Sequence, residues 1–191
     1  MYVKESIETY LNDLAARKSA PGGGSAAALQ GAIGAGLMSM AANYTYGAEE
    51  ILKKTEEARK RLQALVDADV EAYGRLSKLM KECKDSAVLD NSYKEAVKPP
   101  YEVCVISAEC LKLCEELVKC GNKNLITDTA IAAICLEGAF FAAKYNVYIN
   151  LKQIKDMDFI EEIHKVLQPL EEELPKLKEE ILERCEDIIA K

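Results

Sequence analysis

Apolar residues recur along this chain at spacings of three and four, and no stretch alternates with the period of two that a strand requires. Val3, Ile7, Tyr10, Leu11 and Leu14 form a first amphipathic stripe that ends near Lys18. Pro21-Gly22-Gly23-Gly24-Ser25 then breaks the pattern, with Ser25 as the expected N-cap of the next helix. That helix, predicted over 25–46, carries Ala27, Gly31, Ala35 and Ser39 in one row and Ala28, Ala32, Gly36 and Met40 in the next. Rows of small side chains let neighbouring helices approach closely, which predicts a tightly surrounded central helix. A third helix is expected over 51–80. A short helical piece over 92–97 should stop at Pro99-Pro100, and a helix over 101–120 should end at Gly121 in a left-handed turn. Thr127 or Asp128 then starts a second very apolar helix reaching about residue 151. In the tail, Ile163, Leu167, Leu170, Leu174, Leu177 and Ile181 alternate spacings of four and three, a heptad-like face for the bundle or for a partner subunit, with Pro169 and Pro175 as kink points. The expected fold is all-α, a single domain over 1–191 built as a helical bundle with two buried central helices wrapped by amphipathic ones.

Composition narrows the function classes. A length of 191 residues suits one core, and 49% apolar with 30% charged residues is an ordinary soluble balance. A net charge of -7 argues against nucleic acid, whose phosphates need a clustered positive field. Seven cysteines, an odd number with no Cys-x-x-Cys, read as small buried apolar residues in a reducing compartment. His164 is the only histidine, so no metal site is expected. No basic region followed by an apolar core opens the chain, which points to the cytoplasm. The span 25–46 is apolar enough to test as a membrane helix. Its Ala and Gly content, with Gln30, Ser39 and Asn43 inside, favours a core helix and no membrane partner.

Candidate chemistry lies where polar groups break the pattern. On the third helix Leu62, Leu65, Val66, Val70, Tyr73 and Leu76 make one apolar stripe at 100° per residue, and Asp69 falls near its centre. Asp67 falls outside the stripe and Glu71 points the opposite way. A carboxyl among apolar neighbours either pairs or raises its pKa, which suits a proton carrier and equally a structural cap on a helix terminus. Asn146 and Asn150 stack four residues apart near the end of the second apolar helix, where amides can read a heterocycle or bond each other. Gly22, Gly23, Gly24 and Ser25 can present backbone N–H groups to an anion or serve as a plain connector. Gly121-Asn122-Lys123-Asn124 with Asp128 is a polar turn, and the run Glu171–Glu173 reads as a solvated face.

In order along the chain, Ala20-Pro-Gly-Gly-Gly-Ser25, Asn43-Tyr-Thr-Tyr-Gly47, Leu65-Val-Asp-Ala-Asp-Val-Glu-Ala-Tyr73, Gly121-Asn-Lys-Asn124 with Asp128, and Tyr145-Asn-Val-Tyr-Ile-Asn-Leu151 resemble the cyclodeaminase–cyclohydrolase family of folate enzymes. The resemblance implies an all-α homodimer with no metal and no permanently bound cofactor, acting on a tetrahydrofolate derivative as substrate. It implies that Asp69, the second acid of Val-Asp-Ala-Asp, is catalytic. On the chemistry of their side chains, Asn43, Asn146 and Asn150 would read the pterin or place the bridge, Asp128 would organise them from behind, and Asn122 would join the substrate-binding set. Gly22, Gly23, Gly24, Ser25 and Lys152 would meet a glutamate or polyglutamate tail. Formiminotetrahydrofolate cyclodeaminase is the leading expectation and methenyltetrahydrofolate cyclohydrolase the alternative, with a non-catalytic interaction protein more remote.

Overall fold

The computed structural model describes residues 1–191 and contains helices and no strand. Six α-helices follow one another: α1 (Ile7–Ala15), α2 (Gly23–Asn43), α3 (Glu49–Glu82), α4 (Ser86–Cys120), α5 (Ile126–Leu151) and α6 (Met157–Ile189). Single 3-10 turns occupy Tyr2–Lys4 and Lys123–Leu125.

The small-residue rows explain how the core closes. Gly31 of α2 sits where three other helices converge, and a Cβ there would lie 3.2 Å from Leu62 of α3 and Ser107 of α4 and 3.4 Å from Ala139 of α5. Gly23 packs on Asn146 and Gly34 on Leu136, so α2 and α5 run antiparallel in contact along their length. Phe140, Met38, Leu62, Leu111, Leu136 and Leu167 fill the space between these helices.

Several sequence expectations change. The first stripe is not one helix: its Val3 lies in the first 3-10 turn, α1 begins after Ser6, and Ile7 and Leu11 stay exposed while Tyr10 alone is buried. Gly22, not Ser25, is the N-cap of α2, and the helix ends at Asn43. Pro99 and Pro100 do not end a helix. Both are buried inside a continuous α4, where packing outweighs the loss of two N–H donors. Gly121 stops α4 with φ -71°, so glycine is required there by contact with the Leu117 carbonyl, not by handedness. Helix α5 opens at Ile126 on Leu125, and Asp128 stands in its first turn, a favourable place for an acid. The heptad face of α6 packs on α4 and α5 of the same chain, burying Ile163, Leu167, Leu174 and Ile181. Glu171 is no solvated acid, because it pairs with Lys144 at 2.9 Å and accepts from the Tyr148 hydroxyl.

Asp67 also departs from expectation. It is buried and accepts the backbone N–H groups of Tyr2 at 2.5 Å and Val3 at 3.4 Å, which pins the N-terminal turn to α3. The central helices are not wrapped on every side either. Ile33 and Met40 of α2, and Ile131, Ile134, Tyr145 and Ile149 of α5, are exposed.

The packing at α2 yields an expectation with an internal control. At Gly34 a Cβ would lie 2.8 Å from the Leu136 side chain and 3.2 Å from the Ala132 carbonyl, whereas at Gly36 it would meet only the flexible Arg59 at 3.5 Å. Gly34→Ala should lower stability in urea denaturation by about 1–3 kcal/mol through overpacking. Gly36→Ala should raise it by up to about 1 kcal/mol through helix propensity.

Candidate active site

The first turn of α2 has free N–H groups, as every helix start does. Here the Asp69 carboxyl of α3 faces them, near enough to the Ser25 backbone N–H for that group to lower its pKa. Gly24 makes the approach feasible, since a Cβ at that position would fall on the Asp69 carboxyl itself. Asp69 thus stands beside a helix start and faces a cavity. Burial pushes its pKa up to about 6, against the Ser25 hydrogen bond, which lowers it. Desolvation wins over the helix terminus.

The cavity, of about 240 Å³, is walled by Gly22, Gly23 and Gly24 from α2 and its cap, Asp69, Val70 and Tyr73 from α3, and Asn146, Ile149 and Asn150 from α5. Asn146 donates to the Ala142 carbonyl at 3.0 Å and Asn150 to the Asn146 carbonyl at 2.9 Å. Each amide therefore keeps its carbonyl oxygen for other donors. Ser25 lies behind the wall, fully buried, its hydroxyl 3.1 Å from that of Tyr10. The tyrosine closes the back of the Asp69 environment, and burial raises its own pKa.

Seven of the sequence-chosen residues thus gather at one place: Gly22, Gly23, Gly24, Ser25, Asp69, Asn146 and Asn150. Lys152 caps α5 beyond Asn150, exposed and off the cavity wall. Asn43, Asn122 and Asp128 stand elsewhere. They cluster at the opposite end of the α2–α5 pair, where Asn122 bonds Thr45 and the Tyr44 carbonyl. Twenty helical residues separate Asn43 from Gly23, which at 1.5 Å each is about 30 Å. The glycine segment also differs from expectation, since the anion at the helix start is the chain's own Asp69.

Sequence reasoning passed over Tyr10, Val70 as a wall residue, and Ala96 of α4. Ala96 lines the cavity, and Pro100, lacking an N–H, leaves the Ala96 carbonyl without its i+4 donor. The Pro99-Pro100 pair carried that signal, but it read as a helix stop.

A carboxyl that titrates near neutrality beside two amides, in a small cavity between long helices, is the outline of an acid–base enzyme for a hydrogen-bonding, nitrogen-rich substrate. Comparison with known proteins gives that outline a family. The family model described as formiminotransferase-cyclodeaminase matches residues 6–169. A methenyltetrahydrofolate cyclohydrolase of Methylorubrum extorquens is 35% identical, with 94% of this chain and 95% of that protein covered. The formimidoyltransferase-cyclodeaminase of Mus musculus is 32% identical over 88% of this chain, which spans only 34% of that longer protein. The crystal structure of a formiminotetrahydrofolate cyclodeaminase from Thermotoga maritima superimposes with a TM-score of 0.92 at 30% identity, over 99% of this chain and 100% of that one. The chain belongs to the formiminotransferase-cyclodeaminase family of folate enzymes.

The raised pKa of Asp69 makes a stability statement. Its folded value of about 6 lies above the ordinary 3.8, so its contribution is fully present below pH 3.8 and is lost as pH rises through 6. Asp69→Asn removes the charge that burial penalises. Urea denaturation at pH 8 should therefore find the variant more stable by up to about 3 kcal/mol, a gain absent below pH 4.

Proposed function

We propose that this protein works on the one-carbon bridge between N5 and N10 of a tetrahydrofolate, with Asp69 as the proton shuttle, and that its reaction is the cyclodeaminase one. The observation that carries the reading is the position of Asp69, half-buried in the cavity with its carboxyl titrating at about 6, opposite Asn146 and Asn150. In the protonated formimino substrate, N10 attacks the formimino carbon on N5 and a C–N10 bond forms. Asp69 takes the proton from N10 and delivers it to the amino group of the tetrahedral intermediate. The C–N bond to that group breaks, and ammonia leaves behind the 5,10-methenyl product. A carboxyl near pKa 6 suits both halves of this transfer, because neither its acid nor its base form is rare at neutral pH. Holding N5 and N10 together removes much of the entropic barrier. The carbonyl oxygens of Asn146 and Asn150 supply acceptors for the ring N–H groups.

The cyclohydrolase reaction is the second reading, favoured by the end-to-end match with the Methylorubrum cyclohydrolase. There water attacks the bridge carbon while Asp69 takes its proton. Asp69 then protonates N5 as the C–N5 bond breaks, and 10-formyl-tetrahydrofolate forms with release of a proton. One site serves both, since each passes through a tetrahedral carbon between the two nitrogens.

The proposal includes a homodimer in the cytoplasm, with neither a metal nor a bound cofactor taking part. One carboxyl, two amides and a tyrosine in the cavity form a hydrogen-bonding set for a heterocycle, unlike the His and Cys sets that hold catalytic zinc. Lys152, exposed beyond Asn150, is the cation suited to a glutamate or polyglutamate tail leaving the cavity.

Absorbance of methenyl-tetrahydrofolate, followed in both directions with and without ammonia, tests the reading and separates the two reactions. Asp69→Asn should lower turnover by about two orders of magnitude or more while folate binding persists. Glu71→Gln is the control, because Glu71 is exposed and pairs only with Arg75 at 4.0 Å, and it should retain full activity. Asp67 cannot serve as that control, since it anchors the N-terminal turn. Normal turnover by a folded Asp69→Asn variant would remove the proposal.

A further inference from the structure

We propose that Tyr2 is a positioning residue for the reaction: clasped by Asp67, its ring braces Tyr10 and so keeps water from the back of the Asp69 carboxyl. The inference rests on the reading of Asp69 as the proton shuttle and adds what holds that carboxyl in its desolvated setting.

Tyr10 is the only buried residue of α1, whose Ile7 and Leu11 stay exposed. A helix of nine residues is too short to be stable on its own, so α1 depends on what grips that one side chain. The Tyr10 hydroxyl is held by the buried Ser25 hydroxyl at 3.1 Å. Its ring has less support, because it borders a hollow of about 260 Å³ shared with Tyr2, Leu29 and Val66. The Tyr2 ring meets it there edge to face, with centroids 5.5 Å apart.

Tyr2 is itself placed by hydrogen bonds, since the 3-10 turn that contains it has no buried residue. Its backbone N–H donates to one oxygen of Asp67 at 2.5 Å, and the Val3 N–H to the other at 3.4 Å. Its hydroxyl donates to Asp13 at 2.9 Å. Asp67 stands two residues before Asp69 on α3, so the clasp and the shuttle share one turn of helix. Loss of the Tyr2 ring opens the hollow to Tyr10 and admits water behind Asp69. The side chains around that carboxyl are Tyr10 of α1, Ser25 of α2, Tyr73 of α3, Ala96 of α4 and Asn146 of α5, with no lysine, arginine or second acid among them. Burial is therefore the influence that hydration would undo, and Asp69 should return toward the ordinary carboxylate range.

Carbon-13 NMR of Asp69 and steady-state turnover test this on full-length variants whose fold is confirmed by circular dichroism. Tyr2→Ala spares the core and leaves every charged side chain in place. Its Asp69 midpoint should fall from about 6 to below about 5. Turnover at pH 7 should fall about tenfold, with the KM for the folate within about twofold of wild type. Tyr2→Phe keeps the ring and the backbone clasp, so it should restore both the midpoint and the turnover. In an Asp67→Ala background, Tyr2→Ala should add nothing, because the ring has already lost its hold. A folded Tyr2→Ala variant with an unmoved midpoint, a Tyr2→Phe variant as impaired as Tyr2→Ala, or additive effects of the two alanines would each overturn the inference. A wild-type midpoint at the ordinary 3.8 would instead overturn the acid–base reading, and the turnover of Tyr2→Ala against Tyr2→Phe would then decide whether Tyr2 positions the site.

Discussion

The carboxyl of Asp69 occupies the start of α2, where a helix leaves N–H groups unpaired and a bound anion would otherwise sit. Much of the architecture serves that placement. Gly24 gives up its side chain so that α3 can approach, and Gly31 does the same at the crossing of α2 with α3, α4 and α5. Tyr10 and Ser25 seal the far side with a buried hydroxyl pair. The result is a balance of two opposed effects: a helix terminus that favours the carboxylate, and a desolvated setting that favours the acid. The second is larger, and it moves an ordinary carboxyl into the range where it can both accept and return a proton.

Asp69 was legible in the sequence because the helical wheel of α3 shows an acid inside an apolar stripe, and the ordered motifs pointed to the same residue. The neighbouring acid was not. Asp67 lies outside that stripe yet is buried, because the N-terminal turn folds over it and offers two backbone N–H groups. A wheel reports one helix's own face and carries no information about which distant segment docks beside it. The prolines of α4 show the same limit from the other side. Local rules stop a helix at Pro99-Pro100, while the buried packing around both residues carries it through.

Order along the chain set the motifs at helix ends but gave no guide to which of those ends meet in space. Asn43 ends the helix that Gly23 begins, and Asp128 opens the helix on which Asn146 and Asn150 stand near the end. Since α2 and α5 are antiparallel, their motifs sort into two clusters, and only one of these contains Asp69. The two most apolar helices likewise looked like a buried centre on composition. Their exposed sides appear only once the placement of α3, α4 and α6 shows which faces remain uncovered.

The claim on which the account turns is that burial, acting against a helix terminus, holds Asp69 at an acid–base midpoint suited to neutral pH. Carbon-13 NMR of the Asp69 carboxyl, assigned by its loss in the Asn variant, measures this without substrate or turnover. A titration midpoint at about 6 is expected. A midpoint at or below the ordinary 3.8 would show that the helix start dominates, and would contradict the account.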